Sequence, residues 1–183
     1  MSDYERERQQ RIKEYKIREE KLQQIAKDSF HKITNIAITM YRDSQRLLQD
    51  SPWVIENSQP AADAAQQWAD CPCEKHAQLA HDIAVDAEKR ADIADSTTPH
   101  VGDWWSYEMV HRAHDICKCI AIWSGLPDPD PEYPRFCYTR TPEDKDDLAK
   151  RMADLAHYFM LSPWRRSLKD LDALVDKELD VHS

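Results

Sequence analysis

DWWSYEMVHRAHDICKCIAIWSG, residues 103–125, is the stretch whose reading decides the fold. At about 100° per residue, Met109, Ala113, Ile116, Ile120 and Trp123 fall on one side of a helix, flanked by Val110, Cys117 and Ala121. His111, His114, Asp115 and Lys118 turn to the other side. Asp103 is placed to cap the start, and Gly125 to end it. An apolar stripe this wide needs neighbours, so the segment reads as the central helix of a bundle.

Outward from that helix, the whole chain repeats the same signal. Only two glycines occur in 183 residues, Gly102 and Gly125, whereas a sheet of this size needs glycines at its hairpin turns. The expected fold is therefore all-α: a bundle of five or six helices, with a long N-terminal helix and a Pro-rich loop. The length is enough for a true hydrophobic core.

Residues 3–49 contain neither Pro nor Gly and read as one long helix or two collinear ones. Ile12, Tyr15, Leu22, Ala26, Ile33, Ile36, Met40 and Leu47 form its stripe. We divide the chain into residues 1–50, a charged helix that can serve as a coiled-coil arm for self-association, and residues 51–183, a helical domain. Ser51-Pro52-Trp53 supplies a cap followed by proline at a first helical position, and Ser162-Pro163-Trp164 repeats the device. Pro60 is expected to open a separate short helix over 61–69. A further helix is expected from Glu74 to Asp95, with His76, Leu79, Ala80, Ile83 and Ala87 on one face. The loop 126–142 carries five prolines, and Thr141 to Asp144 begin a helix whose stripe is Leu148, Met152, Leu155 and Phe159.

The formal net charge is -9, with 9 acidic and 11 basic side chains in residues 1–50 and the acidic excess in the rest. That balance opposes direct binding to a nucleic-acid backbone and suits a partner protein with a basic surface, including by mimicry of nucleic acid. No apolar run has the length of a membrane span, and charged residues stand where a signal peptide has its apolar core. The expected location is the cytoplasm, where cysteines stay reduced or bind metal rather than pair as disulfides.

Three constellations carry potential chemistry. Cys71, Cys73 and His76 place two thiols and an imidazole at a loop-to-helix junction, a donor set that suits structural zinc. Cys117 or His114 is the candidate fourth ligand, since Cys117 and Cys119 point about 200° apart and cannot grip one ion together. The alternative use of these cysteines is as small core residues. Glu108/His111 and Asp154/His157 have the i, i+3 spacing of di-iron bundles, but the helical wheel turns Glu108, His111 and His157 towards solvent.

The run Leu79-Ala-His-Asp-Ile-Ala84 resembles the His-Asp signature of the HD phosphohydrolases. The resemblance implies a metal-dependent hydrolase with His81 and Asp82 as ligands, and with His31 and Asp154 as the loose matches for the remaining two. Six tryptophans exceed what a small core requires, and Trp104 with Trp105 is the candidate protein-binding pair. The reading that uses most of these features is a non-enzymatic, acidic helical interaction protein of the accessory, adaptor or inhibitor type, holding a structural zinc ion. Its alternative is the HD-type hydrolase.

Overall fold

The computed structural model describes residues 3–47, 52–97, 104–129 and 144–161. They form six helices: α1 (Asp3–Asp28), α2 (Phe30–Leu47), α3 (Pro52–Asp70), α4 (Glu74–Thr97), α5 (Trp104–Trp123) and α6 (Lys145–Leu161). No strand occurs among the described residues, so the chain has the all-α architecture its glycine scarcity requires. None of these helices is long and apolar enough to cross a membrane.

α5 is central, as its stripe implies. It packs against α2, α3, α4 and α6, and it buries Met109, Ala113, Ile116, Cys117 and Ile120. The faces it meets are unusually small. α3 presents Ala61, Ala62, Ala64, Ala65 and Ala69, and α4 presents Ala77, Ala80 and Ala84, so backbones approach closely with little side-chain entropy lost on burial. Aromatic rings fill the wider gap beside α2. Phe30 stacks on Trp123 with centroids 4.0 Å apart and meets the edge of Trp68 at 5.9 Å.

The N-terminal segment departs from the expected single or collinear helix. The Tyr15 and His157 rings lie 4.2 Å apart, centroid to centroid, tilted by 45°, and Ser44 Oγ donates to the carbonyl of Phe159 at 3.2 Å. In one straight helix Tyr15 and Ser44 would be separated by about 43 Å, at about 1.5 Å per residue. The chain instead turns back at Ser29, and α6 packs against both α1 and α2. Ser29 allows this because its Oγ accepts from the N–H of Lys32 at 3.3 Å, capping α2 where the helical ladder is interrupted. Burial of Leu22, Ile25, Ala26, Ile33, Ile36 and Met40 then holds both arms on the core. The start of α1 keeps Tyr4, Ile12 and Ile17 exposed.

Pro60 does not start a helix; it lies inside α3, which runs unbroken from Pro52. An interior proline sacrifices a backbone bond at a cost of about 3 kcal/mol. Here its ring faces solvent, while Val54, Ser58, Ala61, Ala65 and Trp68 are buried on the packed side. Burial along the whole helix outweighs the local penalty.

The remaining ends follow local chemistry. Asp144 Oδ1 accepts from the N–H of Asp147 at 2.9 Å and caps α6. Gly125, at φ 83°, ends α5: its N–H bonds to Ile122 O and the N–H of Leu126 to Ala121 O, each at 3.0 Å. The loop that follows is pinned at its start by Lys118 Nζ on Asp128 at 3.0 Å. Most of that Pro-rich loop and the helix expected from Ser162 lie outside the described residues.

Two polar groups expected in water are buried instead. Glu108 is tucked against Arg112, whose Nη2 lies 3.2 Å from its carboxylate, and His157 is 5% exposed beneath Tyr15. Arg112 is itself buried, with its guanidinium over the Tyr158 ring at 4.9 Å. A wheel drawn for one helix identifies its apolar face, but the other face of α6 is covered by α1.

Candidate metal centre

The junction between α3 and α4 is built from three short pieces of local structure. α3 ends with the N–H of Cys71 bonded to Gln67 O at 3.1 Å. The chain then closes a tight turn over Pro72, with the N–H of Cys73 bonded to Cys71 O at 2.8 Å; proline's fixed φ suits the middle of such a three-residue turn. α4 begins at once, its first ladder bond running from the N–H of Ala77 to Cys73 O at 3.0 Å.

This geometry makes Cys73 the cap of α4. Its Sγ accepts from the backbone N–H groups of His76 and Lys75, a role usually taken by an oxygen, and these bonds hold its pKa below the ordinary thiol value. Cys71 donates its S–H to Cys73, which pushes its own pKa up. Cys71 is exposed, whereas Cys73 and His76 are half-exposed on the first turn of α4.

His76 completes the cluster. One donor atom from each of Cys71, Cys73 and His76 lies within 4.8 Å of the others, and among the described residues no other three-residue group of His, Cys, Asp or Glu does so. In a tetrahedral zinc site with Zn–S near 2.3 Å and Zn–N near 2.0 Å, donors sit about 3.5–3.8 Å apart. In this structure the donors spread over as much as 4.8 Å, wider than in a loaded site. His76 Nδ1 lies 2.9 Å from Cys71 O, and since a carbonyl can only accept, Nδ1 carries the proton. Nε2 then presents a lone pair. A ligating histidine is typically held in this way, its second ring nitrogen donating to a backbone carbonyl.

Cys117 is placed elsewhere. Its thiol is fully buried and donates to Ala61 O of α3 at 3.3 Å, and burial pushes its pKa up to about 12. Cys119 is buried and pushed up to about 12 in the same way. Both remain protonated at neutral pH, as core residues rather than ligands. His114, the alternative fourth ligand, bonds through Nδ1 to Val110 O at 2.8 Å on its own helix.

The residues named by the phosphohydrolase resemblance are not gathered into one cluster. His81 and Asp82 lie together on α4, with Nδ1 and Oδ1 3.3 Å apart and Asp82 also accepting from Gln78 at 2.8 Å. Those bonds, Gln78's first, hold the Asp82 carboxyl below its usual range. His31 Nε2 is bonded to the carbonyl of Ala69, and Asp154 lies on α6, where burial raises its pKa. Trp104 and Trp105 form the first turn of α5, with side chains outside the described residues.

Two supporting features escaped sequence reasoning: the capping role of Cys73 and the bond that sets the His76 tautomer. The signal available was the placement of Cys-Pro-Cys immediately before a helix start, which puts the second cysteine at the cap. No known protein family, curated protein or solved structure matches this chain.

Proposed function

We propose that this chain is a non-enzymatic helical interaction protein of the accessory, adaptor or inhibitor type, in which a zinc ion held by Cys71, Cys73 and His76 orders the corner between α3 and α4. The observation that carries this reading is the convergence of two thiols and an imidazole within 4.8 Å on one tight turn and the helix start it caps. Soft sulfur with imidazole nitrogen favours zinc over magnesium or calcium, which take oxygen ligands. A reducing cytoplasm is the compartment in which such thiols persist.

The interaction half of the reading draws on α1 and on charge. Tyr4, Ile12 and Ile17 expose apolar surface along a helix otherwise rich in charge, which suits contact with a partner helix or a second copy. The net charge of -9 suits a partner with a basic surface.

The test is thermal unfolding of the metal-free chain with and without zinc. Zinc at a hundred times its dissociation constant adds about 2.7 kcal/mol to stability if it binds only the folded chain. We expect the midpoint to rise with zinc, and this rise to disappear in Cys73→Ser and His76→Ala. An unchanged midpoint in the parent chain, or an equal rise in the variants, would refute the reading.

A further inference from the structure

We infer that the ion at Cys71, Cys73 and His76 keeps its fourth coordination position open to the outside, and that a histidine imidazole presented by a partner protein fills it. This rests on the zinc reading above and names what that site recognises.

Zinc in structural sites takes four ligands in a tetrahedron, and this corner offers three. Among the described residues no fourth His, Cys, Asp or Glu joins the cluster. The thiol of Cys117 is committed to Ala61 O in the core, and His81, farther along α4, is bonded to Asp82. The position is also accessible. Cys71, Pro72, Glu74 and Lys75 are all exposed, so the ligands sit on a projecting corner rather than in a closed cavity.

Charge then selects the donor. Two thiolates and a neutral imidazole on a divalent cation give a centre with no net charge. A further imidazole keeps it neutral, whereas a cysteine or carboxylate would leave a negative charge to be desolvated as the interface closes. The surroundings make a negative centre costlier still: Asp70 and Glu74 flank the cluster, and Lys75 is the one cation in the run from residue 70 to 76. An imidazole contributed from outside therefore completes a Cys2His2 set at the lowest electrostatic cost. In the absence of a partner, water occupies the position and exchanges freely.

The experiment uses the full chain loaded with cobalt(II), whose visible absorption reports ligand number and type, with free imidazole and N-acetylcysteine as probes. We expect cobalt to bind with the signature of two thiolates. Imidazole should then shift the d–d bands saturably to a single added nitrogen, at unchanged molecular mass. It should also slow metal loss to a competing chelator at least tenfold. His76→Ala should bind cobalt weakly, with circular dichroism confirming that the helices remain. If cobalt binds but imidazole leaves the bands unchanged, the fourth position is already filled and this inference falls while the metal site stands. A response to N-acetylcysteine but not to imidazole overturns the choice of donor. Failure of the parent chain to bind cobalt or zinc at all removes the metal reading with it.

Discussion

Replacing Cys117 by alanine separates a core thiol from a metal ligand. The side chain is 0% exposed, and its Sγ lies 3.3 Å from Ala61 O where α5 crosses the small-residue face of α3. Removing one buried heavy atom forfeits about 0.8 kcal/mol of transfer free energy. A residual void of about 25 Å³ adds about 0.6 kcal/mol. The weak S–H···O bond contributes about 0.5 kcal/mol more, at the lower end for a hydrogen bond. We therefore expect Cys117→Ala to destabilise the chain by about 2 kcal/mol, lowering the thermal midpoint by about 4–8 °C for a chain of this length. Urea unfolding followed by circular dichroism measures the loss, and competition with a chromophoric chelator measures zinc affinity on the same sample. Zinc affinity should not change. A tenfold or greater loss of zinc affinity with an unaltered unfolding midpoint would show that Cys117 reaches the ion, and the assignment of this thiol to the core would be wrong.

A maleimide applied to the native, metal-free chain, followed by peptide mapping, should modify Cys71 and Cys73 and spare Cys117 and Cys119, whose pKa values burial pushes up to about 12. Labelling of Cys119 as fast as Cys71 in the folded state would contradict the placement of α5. Arg112→Ala removes the guanidinium that lies 3.2 Å from the buried Glu108 carboxylate and 3.4 Å from Asp115, and should cost about 3–5 kcal/mol. A single-variant loss below about 1 kcal/mol would mean that the pair is effectively solvated. His157 has its pKa lowered from 6.5, chiefly by burial and also by Arg18, with Glu19 opposing. The unfolded chain thus binds a proton more readily. Stability from this group is complete above pH 6.5 and is lost as pH falls towards the lowered folded value. His157→Phe, which can retain the ring contact with Tyr15, should flatten the dependence of the urea midpoint on pH just below 6.5. An unchanged slope would place the titration elsewhere.

Much of this fold is written locally in the sequence. Pro52 and Glu74 open helices where they are expected, Gly125 closes α5 with a positive φ, and the stripe of Met109, Ile116 and Ile120 marks the central helix. What is not local is not legible. The reversal at Ser29 depends on α6 packing against both arms, and nothing between Lys27 and Phe30 breaks a helix in the way Pro or Gly would. Pro60 reads as a helix start by its own chemistry, and only the burial of Val54 and Ser58 before it and of Ala61 and Ala65 after it explains why α3 continues. Glu108 and His157 look solvated on a single-helix wheel and become buried once Arg112 and α1 cover them.

The candidate site divides the same way. Cys71, Cys73 and His76 are close in sequence, so a turn and one helical turn suffice to bring them together. Cys117 is distant in sequence and could join them only if α5 packed beside the junction, but the Ala61 carbonyl of α3 takes up its thiol. The adverse geometry of Cys117 and Cys119 as a pair was readable from helical spacing alone.

The most direct test of the account is a zinc titration of the reduced full chain against a competing chelator, repeated with Cys71→Ser, Cys73→Ser and His76→Ala. A saturable zinc site is expected in the parent chain, with each substitution weakening it at least a hundredfold, or about 2.7 kcal/mol. No zinc binding by the folded parent, or binding that survives all three substitutions, would contradict it.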